Sequence, residues 1–184
     1  MLRYLPNALT LSRLILAAPL GILILRQNYE WALVVGLLAA ASDALDGFLA
    51  RRLNVLSRCG AALDPIADKV LITVAFLGFA QVGLIPWYLA AVVIARDLVI
   101  LVGATCYHWL IGTFDFAATP LSKANMFIQI CFCALVLTAQ VFTTIPQMAI
   151  TLASAAVLFF AGASGSDYVI KWSAKALRQG RKKV

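Results

Sequence analysis

The chain has 184 residues, of which 63% are hydrophobic and only 12% are charged, and its formal net charge is +7. An ordinary soluble domain is about 25% charged, so the composition argues against one and favours an integral membrane protein. The basic residues flank apolar segments instead of forming a polar domain of their own, which argues against a nucleic-acid-binding protein.

Six apolar runs approach or exceed the length of about 20 residues that spans a bilayer. In chain order we predict spans over residues 8–25, 31–50, 60–82, 86–111, 121–142 and 145–168, separated by Pro, Gly or polar residues. The predicted fold is all-α, a polytopic membrane protein with six transmembrane helices in one bundle. Residues 1–184 are expected to form one membrane domain, with an interfacial segment at 1–7 and a basic cytoplasmic tail at 169–184.

The distribution of Lys and Arg predicts the orientation, because short cytoplasmic loops are rich in them. The segment after the second predicted span contains Arg51, Arg52 and Arg58, and the C-terminal tail is strongly basic. The opposite side has only Arg26, next to Glu30. Both termini are therefore expected in the cytoplasm.

Four of the eight acidic residues lie close together within otherwise apolar sequence: Asp43, Asp46, Asp64 and Asp68. Residues three or four apart share a helix face, so the first two form a stripe on the second span and the last two a stripe on the third. A short connection joins these spans. We therefore expect antiparallel neighbours whose acidic stripes face each other across a shared cavity.

The energetic cost of these aspartates requires an explanation. An aspartate at mid-span costs about 2.5–3.5 kcal/mol on insertion scales, and neighbouring carboxylates repel one another. A divalent cation, protonation, or pairing with Arg51, Lys69 or Arg96 could offset the cost. Oxygen ligands without a nearby His or Cys favour a hard cation such as Mg²⁺ or Mn²⁺, which usually completes its coordination with substrate phosphates. A phosphorylated substrate is therefore expected.

Small residues accompany the acidic stripes, at Gly47, Ala50 and Gly60. They permit close approach of a ligand, and close packing between membrane helices explains them equally well. Arg51 lies one turn after Gly47, where it could reach a diphosphate or could simply be a cytoplasmic loop residue.

The complete pattern, D-x2-D-G-x2-A-R-x8-G-x3-D-x3-D from Asp43 to Asp68, resembles the signature of the CDP-alcohol phosphotransferase family. The segment PNALTLSR, residues 6–13, is similar to the family's opening segment. The resemblance implies a six-helix membrane enzyme of phospholipid biosynthesis that transfers a phosphatidyl or similar group from a CDP-linked donor to an acceptor hydroxyl and releases CMP. It also implies a homodimer. We expect a bacterial inner-membrane protein whose active site faces the cytoplasm.

The resemblance further implies roles for individual residues. Two divalent cations, Mg²⁺ or Mn²⁺, would be held by Asp43, Asp46, Asp64 and Asp68, and Asp68 would be the general base. The nucleotide site would include Asn7, Thr10, Gly47, Ala50, Arg51 and Gly60. Basic residues that we expect to bind an acceptor phosphate are Arg13, Lys69, Arg96 and Lys123. For the intramembrane cations, snorkelling or ion pairing is the alternative, for instance between Arg96 and Asp97.

Two branches of the family differ in their acceptor. The Arg96-Asp97 pair, the SKAN segment at 122–125 followed by Gln129, and the Ala/Ser-rich last span resemble the CMP-forming cardiolipin synthases, whose acceptor is phosphatidylglycerol. Met126 departs from the Thr expected in that branch. Phosphatidylglycerophosphate synthases, which use glycerol 3-phosphate, usually have Glu in place of Asp97. The expected partners are CDP-diacylglycerol, one of these acceptors and membrane lipids.

A divalent cation transporter is the non-enzyme alternative, with the aspartates as the ion path. Two expectations argue against it. The acidic residues cluster toward one side of the membrane, and we predict no second polar layer in spans 4 to 6.

Overall fold

The computed structural model describes the backbone of residues 5–53, 60–111, 120–142 and 144–180, and the side chains of residues 14–42, 69–103, 120–142 and 144–168. The regular structure in these ranges is six helices. They are α1 Leu5–Leu25, α2 Tyr29–Leu53, α3 Gly60–Gln81, α4 Trp87–Ile111, α5 Pro120–Val141 and α6 Gln147–Gly180. The all-α prediction is confirmed, and α6 continues well beyond the predicted end of the last span at residue 168.

Two helix ends adopt the same left-handed cap. Gln27 follows α1 with φ 57° and Gly83 follows α3 with φ 78°. After α3, the Leu84 amide donates to the Phe79 carbonyl at 2.9 Å and the Gly83 amide donates to the Ala80 carbonyl at 3.2 Å. This bonding satisfies carbonyls that the helix end leaves open, and it turns the chain sharply into the next helix.

Helices α1 and α3 approach each other closely through one glycine on each. A Cβ atom at Gly21 of α1 would lie only 2.7 Å from Val74 Cγ1, and one at Gly78 of α3 would lie 3.0 Å from Ile24 Cγ2. Both glycines therefore accept a branched side chain of the other helix against their backbone. The reciprocal fit fixes α1 against the helix that contains Asp64 and Asp68.

The helix contacts form a ring in the order α1, α3, α4, α6, α5, α2, and α3 also contacts α5 across it. This cross-contact divides the described bundle into two parts. The first compartment is enclosed by α1, α2, α3 and α5, and the second compartment by α3, α4, α5 and α6. Phe76 of α3 and Phe132 of α5 pack between them, with ring centroids 5.6 Å apart.

The predicted arrangement of the second and third helices needs a correction. In the described part of the chain α2 and α3 do not pack as neighbours, because α1 and α5 each contact both of them and stand between them. The two helices that contain the acidic motif are thus diagonal across the first compartment. In the described residues both helices border this compartment without direct packing, and the expectation that their acidic stripes face each other stays a prediction.

The outer surface is strongly apolar. Large side chains such as Phe127, Leu152 and Phe159 are 65–69% exposed. Within the described residues, Pro120–Val141 and Gln147–Tyr168 are each long and apolar enough to cross a membrane. Shorter apolar helical segments lie at Leu14–Leu25, Tyr29–Ser42 and Lys69–Gln81.

Candidate active site

The second compartment contains a cluster of charged side chains. Arg96 and Asp97 of α4 are both buried, at 9% and 8% exposure. Arg96 Nη1 donates to Asp97 Oδ1 at 2.6 Å. Lys69 Nζ of α3 lies 3.7 Å from the same carboxylate oxygen and 3.4 Å from the Asp97 carbonyl oxygen. Two cations therefore share one carboxylate.

Arg96 also connects α4 to the two following helices. Its Nη2 atom donates to Ser122 Oγ of α5 at 2.9 Å and to Ser164 Oγ of α6, which is fully buried. A guanidinium has five N–H donors in a rigid fork, so it can satisfy several partners at once. These bonds hold the Arg96 side chain inside the compartment.

Polar groups continue along the inner face of α5. Ser122, Asn125 and Gln129 are spaced three and four residues apart, so they share one face of the helix. Asn125 is fully buried, and both of its side-chain polar atoms lack a partner among the described residues, as do Gln129 Nε2 and Arg96 Nε. A buried polar group without a hydrogen bond costs about 1–3 kcal/mol. Water or a polar ligand in this compartment would satisfy them.

For the four motif aspartates the structure describes the backbone positions only. Asp43 and Asp46 lie in α2, and Asp64 and Asp68 lie in α3. Their side chains lie outside the described residues. The helical backbone places each pair on one helix face, as predicted, because the spacings are three and four residues. Asp68 immediately precedes Lys69, so the charged cluster of the second compartment begins one residue after the motif.

The first compartment contains an apolar cavity of about 100 Å³. Its lining includes Ala39 and Ala40 of α2, Leu71 and Ile72 of α3, and residues of α1 and α5. Ala39 and Ala40 lie one turn before Asp43, and Leu71 and Ile72 lie one turn after Asp68. The cavity therefore extends to within about one helical turn of both acidic pairs.

The other predicted site residues have different outcomes. Lys69 and Arg96 are brought together, while Lys123 is exposed on α5 next to Ser122. Arg13 lies in α1, with its side chain outside the described residues. The same holds for the candidate nucleotide-site residues, which lie in α1, α2 and α3: Asn7, Thr10, Gly47, Ala50, Arg51 and Gly60.

The expectation of no second polar layer in spans 4 to 6 is wrong. Arg96 and Asp97 of α4, Asn125 and Gln129 of α5, and Ser164 of α6 are all buried. Sequence reasoning missed Ser164 altogether, since a single serine in a small-residue helix is also typical of close helix packing. The sequence signals for this layer were the Arg96-Asp97 pair within apolar α4 and the amides of Asn125 and Gln129, four residues apart in α5.

Comparison with known proteins agrees with the motif. A family model described as CDP-alcohol phosphatidyltransferase matches residues 3–163. The chain belongs to the CDP-alcohol phosphatidyltransferase family. The family predicted from the motif is thus confirmed, and its members generally depend on divalent metals.

Several relatives within the CDP-alcohol phosphatidyltransferase family have curated names. The rat and human "Cardiolipin synthase (CMP-forming)" are 33% and 32% identical, each over 89% of this chain, which spans only 59% and 60% of their lengths. The "CDP-diacylglycerol--glycerol-3-phosphate 3-phosphatidyltransferase" of Bacillus subtilis is 32% identical over 92% of this chain and 96% of its own length. The relatives therefore include both cardiolipin synthases and a glycerol-3-phosphate phosphatidyltransferase.

The aspartate set fits the hard divalent metals on which this family depends. It offers four carboxylates on two helices that face one compartment, and carboxylate oxygen is the ligand that Mg²⁺ and Mn²⁺ prefer. Among the described side chains, no group of three or more His, Cys, Asp or Glu residues forms a competing site.

Proposed function

We propose that this protein is a CMP-forming cardiolipin synthase of a bacterial inner membrane. It would transfer a phosphatidyl group from CDP-diacylglycerol to a hydroxyl of phosphatidylglycerol and release CMP. The observation that carries the proposal is the adjacency of two sites on α3. The acidic motif ends at Asp68, and the cationic cluster that suits an acceptor phosphate begins at Lys69.

The membrane location has two supports. The exposed surface contains many large apolar side chains, and a soluble protein rarely exposes such patches over much of its surface. The basic segments after α2 and at the C-terminus favour a bundle whose six helices cross the bilayer, with both termini in the cytoplasm. In this orientation the motif faces the cytoplasm, where water-soluble CMP can leave while the lipid product stays in the bilayer.

The four aspartates would hold two divalent cations, Mg²⁺ or Mn²⁺. When bound, these cations would neutralise the donor diphosphate and stabilise CMP as the leaving group. The small residues Gly47, Ala50 and Gly60 would allow close approach of the donor beside the aspartates, and the apolar cavity of the first compartment offers a surface for its lipid part. The cytidine diphosphate would lie toward Asn7, Thr10 and Arg51.

Asp68 would accept the proton of the attacking hydroxyl. The hydroxyl oxygen then forms a bond to the phosphorus of the phosphatidyl group, and the bond from this phosphorus to the CMP oxygen breaks. We propose direct displacement of CMP by this hydroxyl, without a covalent intermediate on the protein.

Lys69 and Arg96 would bind the phosphate of the acceptor. Two positive charges beside one carboxylate leave the cluster attractive to an anion, and an arginine fork suits a phosphate. Arg13 and Lys123 are further candidates from the sequence. A homodimer stays a prediction from the family resemblance.

Glycerol 3-phosphate is the alternative acceptor, because the Bacillus subtilis relative is named for it and matches nearly end to end. A cation transporter is the non-enzyme alternative, and the polar layer in α4 to α6 removes one of the two expectations that spoke against it. Membership of an enzyme family favours catalysis.

An acceptor screen tests the proposal. Purified protein receives CDP-diacylglycerol, Mg²⁺ and, in separate reactions, phosphatidylglycerol, glycerol 3-phosphate, inositol phosphate or serine. We expect cardiolipin from phosphatidylglycerol as the main product. A product formed mainly with glycerol 3-phosphate would replace the proposed acceptor, and no CMP release with any acceptor would reject the enzyme.

A further inference from the structure

A groove of about 530 Å³ runs between α4 and α6 on the outside of the second compartment. Its lining includes Val92, Arg96 and Val99 on α4, and Ala161, Gly162 and Gly165 on α6. Val92 and Val99 are 38% and 50% exposed, so the groove opens to the surroundings of the bundle. Apart from Arg96, the one polar side chain in the lining is Ser166, whose hydroxyl donates to the Gly162 carbonyl of its own helix at 2.9 Å.

The two glycines keep this groove open. A Cβ atom at Gly162 would meet nothing within 4 Å, and one at Gly165 would lie 3.7 Å from Arg96 Cγ. Neither glycine is therefore needed for close helix packing, in contrast to Gly21. Their effect is to leave an uninterrupted channel over the α6 backbone as far as the Arg96 side chain.

Arg96 gives the groove a cationic point, between Val92 and Val99 along α4. Its side chain is only 7% exposed, its Nη atoms bind Asp97, Ser122 and Ser164, and its Nε atom is buried without a partner among the described residues. Lys69 adds a second positive charge to the same cluster. An occupant that matches both features has an anionic head and an apolar tail.

We infer that the groove is the binding site for an acyl chain of a phospholipid acceptor whose phosphate contacts Arg96. The inference rests on the proposed phosphatidyl transfer, and it adds the site that selects a lipid acceptor over a water-soluble one. A lipid must keep its chains in the bilayer while its hydroxyl reaches the catalytic groups, so it needs an opening between helices. The groove beside Arg96 is such an opening. A water-soluble phosphate has no acyl chain to place in it.

The test fills the groove without disturbing the packed helices. Gly162→Phe projects a ring into open space, and Ala155→Phe adds the same ring at an exposed position two turns earlier on α6 as the matched control. For each protein, kcat/KM is measured with phosphatidylglycerol and with its deacylated headgroup, glycerophosphoglycerol. We expect Gly162→Phe to lower the preference for the lipid about tenfold, the scale of a lost apolar contact, with the headgroup reaction unchanged. Ala155→Phe should keep the wild-type preference.

An unchanged preference in Gly162→Phe overturns the inference. An equal loss with both acceptors also overturns it, because the groove would then serve the fold or a second copy of the chain.

A second readout does not depend on turnover. Phosphatidylglycerol with a photoactivatable diazirine in one acyl chain is irradiated with the protein in vesicles, and the labelled residues are mapped by mass spectrometry. We expect labels at residues 92–99 and 161–166, reduced by Gly162→Phe and retained in Ala155→Phe. Labels confined to other helices would overturn the inference, and because labelling needs no product, this result is independent of whether cardiolipin forms.

Discussion

Lys69 of α3 contacts Asp97 of α4 across the second compartment, with Lys69 Nζ 3.7 Å from Asp97 Oδ1 and 3.4 Å from the Asp97 carbonyl oxygen. Lys69 directly follows Asp68, the proposed general base. The contact therefore joins the end of the acidic motif to the proposed acceptor-phosphate site. Arg96 binds the same carboxylate oxygen at 2.6 Å, so Asp97 holds both cations in place.

Asp97→Asn should destabilise the protein by about 3 kcal/mol or more, because it leaves the buried Arg96 charge without its counter-charge. Lys69→Met should lower the free energy of unfolding by less, since the Lys69 side chain is more exposed than that of Arg96. In the double variant the loss should be smaller than the sum of the two single losses, because removing Lys69 relieves repulsion between two cations. The free energy of unfolding of all three variants is measured in detergent. Strict additivity would contradict the shared-carboxylate arrangement.

Asp68→Asn should lower turnover by about 10² to 10⁴-fold, the range lost with a general base, while CDP-diacylglycerol still binds measurably. Glu30→Gln is the matched control, because Glu30 is exposed in the first turn of α2, far along the helix from Asp43. Initial rates and binding of a labelled donor are measured for both. Near-normal turnover in Asp68→Asn would show that Asp68 is not the general base.

Chelation should abolish activity, and Mg²⁺ or Mn²⁺ should restore it, because the proposed donor site consists of carboxylates that need a hard cation. Asp43→Asn and Asp64→Asn should each raise the Mn²⁺ concentration at which binding is half-maximal, as measured by electron paramagnetic resonance. Full activity in excess EDTA would contradict the assignment of a divalent-metal site to the aspartates.

Gly21→Ala should destabilise the fold by about 1–3 kcal/mol, the usual cost of overpacking. Its new Cβ would lie 2.7 Å from Val74 Cγ1, and a β-branched side chain has little rotamer freedom with which to move away. Adding Val74→Ala should recover much of the loss. Gly162→Ala, at an open position, should be neutral or slightly stabilising through helix propensity. Similar unfolding temperatures for the two alanine variants would contradict the close α1–α3 contact.

Local sequence patterns predicted most of the fold. Apolar run length located six helices, and spacing placed Asp43 with Asp46 and Asp64 with Asp68 on helix faces. The end of α6 was missed because apolar character stops near residue 168, while the residues up to Gly180 include good helix formers such as Ala, Leu, Lys and Arg.

Long-range packing could not be predicted. The diagonal placement of α2 and α3 depends on α1, which fits α3 through Gly21 and Gly78, and nothing local in α2 reports that fit. The bond from Arg96 to Ser164 joins residues 68 positions apart. The sequence suggested that Arg96 serves a site, and only the packing of three helices reveals which hydroxyls surround it.

Acceptor-dependent CMP release tests the central claim most directly. The protein is reconstituted in vesicles with CDP-diacylglycerol and Mg²⁺, and CMP and cardiolipin are quantified with and without phosphatidylglycerol. We predict that the two products appear in equal amounts and only when phosphatidylglycerol is present. Passage of divalent cations across the vesicle membrane without CMP release would contradict the account and favour a transporter.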